Sequence, residues 1–348
     1  MARAHWKRFT LDFKRPSGTS RGVLNQKTSY FLIWEDESFA IPALGECSLI
    51  EGLSPDPMES FESVLDQVSD HLNGEESDLP DLKMYPSIQM GLETLNLDIE
   101  AKGTKVLYPS SFTQGAQGML INGLVWMGDK DFMRQQIIDK IELGFECVKL
   151  KIGAIDFDTE LSILAYIRSE FGVAIELRVD ANGAFSTDSA LERLKRLSEF
   201  DLHSIEQPIR QGQWEEMAEL CEVTPLPIAL DEELIGVHEP EVRKRLLETI
   251  RPQYIILKPS LHGGLSGSEN WIDLANEAGI DWWITSALES NVGLNSIAQF
   301  AFQKEVTIPQ GLGTGGLYTN NFDSPLYLQG QIIRYNPLKN WDLEALLS

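Results

Sequence analysis

A chain of 348 residues, 43% of them hydrophobic, carries enough apolar side chain for one large or two unequal globular domains. Its 53 acidic and 29 basic residues give a formal net charge of −24, a field that repels nucleic acid and anionic membrane surfaces, so an anionic ligand needs a local island of positive charge. Three scattered cysteines, Cys47, Cys147 and Cys221, lack CxxC spacing and support neither a disulfide framework nor a zinc site, which fits a reducing cytoplasm.

The N-terminal MARAHWKRFTLDFKRP has no apolar stretch long enough for a secretory signal, and no run elsewhere approaches the roughly 20 apolar residues of a membrane span, so a cytoplasmic protein is expected. The first hundred residues read as strands, TLDFK and TSYFLIWEDESFAIPALGE, followed by helical spacing in DPMESFESVLDQVSDHL and SIQMGLETLNLDIEAKG. Strands followed by helices predict a small α+β domain. The stretch KRPSGTSRGVLNQK, rich in Gly, Ser and basic residues, reads as a loop between the first two strands, either merely solvated or a mobile lid.

From about residue 118 the pattern changes to short apolar runs: GMLINGLVW, FECVKLKIG, AIELRVDANG, LHSIEQP, LPIALDEE, QYIILKPS, IDWWITSALES and VTIPQGLGTG. Helical stretches such as DKDFMRQQIIDKIELG, STDSALERLKRLSEF and SENWIDLANEAG lie between them. Eight strands alternating with helices predict an α/β fold with a parallel sheet, and eight is the number that closes a barrel. A seven-unit open sheet fits the pattern as well.

At the C-terminal ends of successive runs stand Lys151, Asp180, Glu206, Asp231, Lys258 and Glu289, 25 to 31 residues apart, one strand-loop-helix-loop unit each time. That periodicity places all six on one rim of a barrel, where sites of this architecture are built. Asp180, Glu206 and Asp231 come from adjacent strands, and three crowded carboxylates need a counter-charge. Oxygen-only ligands favour Mg2+ or Mn2+ over zinc, and His5, His71, His203, His238 and His262 form no cluster that competes. Glu232 follows Asp231 and is an alternative ligand that strand alternation disfavours.

Lys149 and Lys151 share one face of their strand, while Lys258 flanks the carboxylates from the other side. Two ammonium groups side by side near a dication disfavour each other's protonation, which leaves one as a base near neutral pH. A substrate carboxylate neutralised by the cation has a more acidic α-proton. The chemistry indicated is proton abstraction α to a carboxylate, on a small-molecule acid, with no protein partner implied.

The motifs KLKIG, RVDANGAF, SIEQP, ALDEEL, LKPS and SALESNVGLNSIAQFA, with GECSLIEGLS near residue 46, resemble the enolase superfamily, in the muconate-lactonizing subgroup with Lys-x-Lys on the second barrel strand and Lys on the sixth. Such sites are known to use a Lys or His base with Mg2+ at an enediolate. The resemblance spans nearly the whole chain and implies an α+β capping domain at 1–110, a modified (β/α) barrel of the TIM type at 111–320, and a segment 321–348 that packs back on the cap. ITSALESNVGLNSIAQFA, GLGTGGLYTNNF and NWDLEALL are most similar to the o-succinylbenzoate synthase family of menaquinone biosynthesis, hydro-lyases that dehydrate 2-succinyl-6-hydroxycyclohexa-2,4-diene-1-carboxylate.

Carried over, the resemblance makes Lys151 the base that then protonates the leaving hydroxide. Lys258 becomes the cation over the enediolate, Lys149 tunes Lys151, and Asp180, Glu206 and Asp231 hold Mg2+. Ser286, Glu289, Ser290, Gly311 and Gly313 become substrate contacts, with Glu289 alternatively a structural partner of a lysine. Dipeptide epimerases and N-acylamino acid racemases of the same subgroup are the first alternative, although the eighth strand lacks the Asp-x-Asp that those epimerases use. A non-catalytic metabolite-binding barrel is the second. Asn182 reads equally as a loop cap or a substrate contact, His262 as a loop residue, and Trp282 and Trp283 as packing.

Overall fold

In the computed structural model, which describes residues 2–19, 22–75 and 78–348, the run TSYFLIWE explains its own lack of polar alternation. It lies in β2 (Gly22–Glu35), between β1 (Arg3–Thr19) and β3 (Ala43–Ser48) of an antiparallel sheet covered on both faces. Tyr30 and Leu32 point into a core with Phe61, Leu65 and Leu95. Phe31 and Ile33 enter another with Leu44, Val292, Phe322 and Leu343. Two buried faces need apolar side chains at odd and even positions alike.

The first of those cores is closed by α1 (Phe61–Leu72) and α2 (Pro86–Glu100). In α1, Phe61, Val64, Leu65 and Val68 are buried, the spacing of a single apolar stripe. Pro86 opens α2, where a missing N–H costs nothing. The sheet and α2 touch backbone to backbone: a Cβ on Gly45 would lie 1.8 Å from the Gly91 carbonyl oxygen.

Of the stretch 14–27 expected as a loop, residues 14–19 and 22–27 lie in β1 and β2. β1 and β2 resume pairing at Ser17 and Leu24 beyond an irregularity after Asp12, and continue to Thr19 and Gly22. Once two strands are zipped, the next N–H and C=O groups find partners most readily by extending the ladder, whatever the side chains. Ser20 and Arg21 lie outside the described residues, and so does that part of the lid expectation.

The second region opens with β4 (Met119–Leu120) and then alternates: β5 (Gly123–Val125), α3 (Lys130–Glu142), β6 (Cys147–Lys151), α4 (Phe157–Phe171), β7 (Glu176–Asp180), α5 (Thr187–Ser198), β8 (Ser204–Glu206), α6 (Trp214–Val223), β9 (Ile228–Leu230), α7 (Pro240–Ile250), β10 (Tyr254–Leu257), α8 (Gly264–Ala278), β11 (Asp281–Ile284) and α9 (Asn291–Gln303). Strands β5 to β11 form one parallel sheet in sequential order. The eighth place belongs to Gln310 and Gly311, which bridge Ile121 on one side and Thr285 on the other. The Gln310 N–H donates to Leu120 and the Gly311 N–H to Ile284, each at 2.9 Å, so the barrel closes through a segment too rich in Gly and Pro for a full ladder. A Cβ at Gly311 would sit 2.1 Å from the Thr285 hydroxyl oxygen.

The C-terminal segment divides its contacts. The hairpin of β12 (Leu326–Gln329) and β13 (Ile332–Tyr335) pairs with β4 beside the barrel. Beyond it Leu343 and Leu346 join Phe31 and Ile33 under the cap sheet, and the Lys7 ammonium donates to the Leu347 carbonyl at 3.1 Å. Among the described residues no helix is long and apolar enough to cross a membrane.

Candidate functional site

Register builds the site. Lys151 pairs with Asp180 and Asp180 with Glu206 across β6, β7 and β8, so three charged side chains from three strands stand at one height. Lys149 lies two residues below Lys151 and on the same face, as strand periodicity requires. Asp231 follows β9 and Lys258 follows β10, which completes the arc at the C-terminal rim.

The charges interleave. Lys149 Nζ donates to Asp180 Oδ2 at 3.0 Å and makes a close contact with Glu206 Oε2. Lys151 Nζ reaches Asp180 Oδ2 at 2.8 Å and Asn182 Oδ1 at 2.9 Å. Lys258 pairs with Asp231 Oδ2. Asn182, at a φ of 44°, is held by its own N–H on Asp180 Oδ1 and by its amide on Glu232 Oε1, both at 3.0 Å.

Burial lowers the Lys149 and Lys258 pKa values, but the facing carboxylates outweigh it and carry both above the ordinary lysine value: Asp180, Glu206 and Asp231 act on Lys149, and Asp231 and Glu206 on Lys258. The anions around Lys149 are closer and more numerous than its neighbouring cations and set this direction; the mutual opposition of ammonium groups expected from the sequence belongs to a site that also holds a dication. Burial raises the Asp180 and Asp231 carboxyls, yet the lysines beside them hold both below the carboxylate range. Glu206 is pushed well up by burial and by Asp180. Burial takes His262 down to about 3, so its ring is neutral, and Nδ1 accepts from the Lys258 N–H at 3.1 Å.

A cavity of about 460 Å3 opens above this layer. Lys149, Lys151, Asp180, Glu206, Lys258, Ser286, Gly311 and Gly313 line it. The three lysines bring positive charge to the cavity of a protein whose net charge is −24, but Asp180, Glu206 and Asp231 balance it, so an anionic ligand also calls for a bound cation.

Two expected substrate contacts are elsewhere. Ser290 caps α9, accepting from the Val292 N–H at 3.1 Å, and donates to Glu46 of the cap. Glu289 is fully buried behind the wall, accepting from the Ser260 hydroxyl at 2.6 Å. The reason is geometric: both residues lie past the end of β11, where the chain has already turned into α9.

Several lining residues were not singled out from the sequence. Leu124 and Trp126 alternate along the first barrel strand and Thr285 follows β11, so their two-residue period was the available signal. Trp283 packs as expected, 2% exposed in a small core with Ala229 and Ile256, and also borders the cavity, with the Arg178 guanidinium 4.5 Å from its ring centre. Val23 and Leu24 of the cap hairpin and Ile50, Gly52 and Leu53 after β3 complete the wall, and no local pattern marks them.

Among the described residues no three His, Cys, Asp or Glu side chains form a ready-made cation cage, because the lysines sit between the carboxylates. The donor set nevertheless suits a hard dication. Glu206 Oε1 and Asp231 Oδ1 are buried oxygens with no hydrogen-bond partner, and such acceptors are costly unless something positive meets them.

Residues 133–323 match the family described as Enolase C-terminal domain-like. The o-succinylbenzoate synthase of Desulfotalea psychrophila is 48% identical, over 94% of this chain and 97% of that protein. The crystal structure of MenC from the same organism superposes with a TM-score of 0.85 at 44% identity, covering 96% of this chain and 99% of that one. An L-Ala-D/L-Glu epimerase of Bacillus subtilis is 26% identical over 55% of this chain and 50% of its own.

Proposed function

The chain belongs to the o-succinylbenzoate synthase family of the enolase superfamily, and from that premise we propose how the residues at its barrel mouth do the work. The protein is a hydro-lyase that converts 2-succinyl-6-hydroxycyclohexa-2,4-diene-1-carboxylate to 2-succinylbenzoate through an enediolate. The observation that carries the assignment of roles is the placement of Lys151 and Lys258 on opposite sides of one cavity with a row of carboxylates between them.

Lys151, as the neutral amine, takes the proton from the ring carbon bearing the carboxylate. The electron pair left behind spreads into that carboxylate, and the Lys258 ammonium faces the planar product of this step. The same Lys151, now an ammonium, delivers its proton to the hydroxyl leaving from the adjacent carbon on the same face. The C–O bond breaks, water departs and the ring becomes aromatic; one proton and one hydroxide leave as one water. Asn182, hydrogen-bonded to Lys151, aims the amine, and Lys149 holds Asp180 and Glu206 in place.

Superfamily sites of this kind bind Mg2+, and Asp180, Glu206 and Asp231 are the residues that would hold it, with Mn2+ an acceptable substitute. When bound, the ion supplies positive charge that makes the α-proton of a carboxylate more acidic. Ser286, Gly311 and Gly313, at the ends of the seventh and eighth strand positions, would meet the succinyl arm. Three buried free thiols fit a reducing cytoplasm.

The test is to supply the cyclohexadiene acid with Mg2+ and follow aromatisation by ultraviolet absorbance. A flat trace with folded wild-type protein overturns the reading. The two flanking amines are also the arrangement that two-base racemisation uses, so an N-acylamino acid substrate belongs in the same assay. Lys258→Arg separates the reactions, because a retained positive charge serves dehydration and cannot exchange protons with the α-carbon.

A further inference from the structure

Behind the cavity wall, outside the machinery just described, three ionisable groups are buried together where cap meets barrel. Lys27 in β2 is 6% exposed, Glu46 in β3 is 1% exposed, and Glu289, beyond β11, is not exposed at all. Lys27 Nζ donates to Ser29 Oγ at 2.8 Å, and Ser29 Oγ donates to Glu46 Oε1 at 2.7 Å. Glu46 then crosses the seam. Its carboxylate accepts the Ser290 and Gly293 backbone N–H groups, each at 2.9 Å, and the Ser290 hydroxyl.

Glu289 approaches from the barrel, with Oε1 on Ser260 and Oε2 without a hydrogen-bond partner. A Cβ on Gly293 would meet the Glu289 side chain at 2.7 Å and Glu46 Oε2 at 2.9 Å, so the two carboxylates crowd one small volume. Burial pulls the Lys27 amine down, and Glu46 and Glu289 both oppose that; burial pushes Glu289 up to about 7. An apolar seam would join two domains more cheaply than these charges do, so their retention calls for a positional role.

That role follows from what each side of the seam presents to substrate. Three and four residues before Lys27, Leu24 and Val23 line the cavity, while Ser286 and Leu288 line it from the segment that ends in Glu289 and Ser290. Leu24 and Leu288 pack on the same small cluster with Leu11, Phe13 and Tyr318. The Tyr318 hydroxyl donates to the Leu288 carbonyl at 2.6 Å, and the Ser48 hydroxyl donates to Ala287 at 3.1 Å. The seam therefore sets the spacing between two opposed cavity walls.

We propose that Lys27 is a positioning residue for substrate capture: through Ser29 and Glu46 on the cap, and against Glu289 and Ser290 on the barrel, its buried ammonium seats the hairpin that brings Val23 and Leu24 to the cavity. This rests on the dehydratase reading for its kinetic readout and on hydrogen exchange for a readout independent of it. Lys27→Met keeps the length of the side chain and removes the charge. It raises KM for the cyclohexadiene acid about tenfold with kcat within about threefold, the signature of lost binding common to ground and transition states. Amide exchange in residues 23–30 becomes faster, while β6 to β8 stay protected.

Adding Glu289→Gln to Lys27→Met removes one of the two carboxylates left facing no cation, the one without backbone N–H donors across the seam, and recovers most of the lost KM. An unchanged KM, a loss confined to kcat, or a double variant no better than Lys27→Met overturns the proposal. Where Lys27→Met does not fold, Ser29→Ala cuts the same link, and wild-type KM in that variant is equally fatal. If wild-type protein fails to aromatise the acid, the functional reading fails, and exchange in residues 23–30 of Lys27→Met still decides whether the seam seats the hairpin.

Discussion

Two buried lysine–carboxylate groups in this molecule look alike by distance and differ in kind. In the cap, Lys105 Nζ meets Asp98 Oδ2 at 3.0 Å with 3% and 0% side-chain exposure. Every oxygen and proton there has employment: Lys105 also donates to the Pro42 and Gly103 carbonyls, and Asp98 accepts the Leu44 and Lys105 backbone N–H groups. At the barrel mouth Lys149, Lys151 and Lys258 meet Asp180, Glu206 and Asp231 at comparable range, yet Glu206 Oε1 and Asp231 Oδ1 have no partner and a cavity stands beside them. Saturation marks a strut, and surplus acceptor capacity beside open space marks a site.

The sharpest way to break that distinction is Lys151→Ala. It should cost on the order of 10^2 to 10^4 in kcat, the range of a lost general base, and leave the unfolding midpoint almost unchanged. Undiminished turnover would mean that the base lies elsewhere.

Asp98→Ala inverts the pattern. It leaves the buried Lys105 ammonium unpaired and should destabilise the fold by about 3–5 kcal/mol in urea titrations, with kcat per folded molecule unaltered. A comparable loss of turnover per folded molecule would erase the contrast between the two clusters.

A third buried carboxyl tests the intermediate case. Asp56 has hydrogen bonds from Ser87 and no cation partner; burial, only partly opposed by those bonds, pushes it up to about 7. With its folded pKa above the unfolded value near 4, the group favours folding most below that value, and its contribution falls away as pH rises to about 7. Asp56→Asn should remove about 4 kcal/mol of that decline, read as a flatter plot of unfolding free energy against pH. An unchanged slope would show that this carboxyl ionises as freely as in the unfolded chain.

The smallest effect concerns the open acceptors. Mg2+ at about a hundred times its dissociation constant should stabilise the wild type by about 2–3 kcal/mol, and Asp231→Asn should abolish most of that gain. Stabilisation that survives Asp231→Asn would place the ion elsewhere.

How much of this was legible in the chain depends on the range of the interaction. KLK at the end of a run declares that two lysines share a face and a height, since strand periodicity is local. The recurrence of Asp180, Glu206, Asp231 and Lys258 at strand ends declares a common rim, since each unit repeats one geometry. Glu289 fits the same spacing and still belongs to the seam, because its run ends at Ile284 and the chain has turned away before it arrives. Residues 14–27 read as a loop from their composition, but 14–19 and 22–27 lie in β1 and β2, where each strand serves as the other's pairing partner. Trp283 reads as packing and does pack, against Ala229 and Ile256, while its place beside the cavity depends on which strands surround it.

By itself, then, the sequence determined the alternation of strands and helices, the common rim of Lys151, Asp180, Glu206, Asp231 and Lys258 and the family of chemistry, all properties carried by local periodicity and by a geometry repeated in each strand-helix unit. Tertiary structure alone decided that Gln310 and Gly311 close the barrel, that lysines stand between the carboxylates, and that Val23, Leu24 and the loop after β3 roof the cavity from a separate domain. Those outcomes depend on which surfaces meet across hundreds of residues, and spacing along one chain records the height of a side chain on its strand without recording what is packed opposite it.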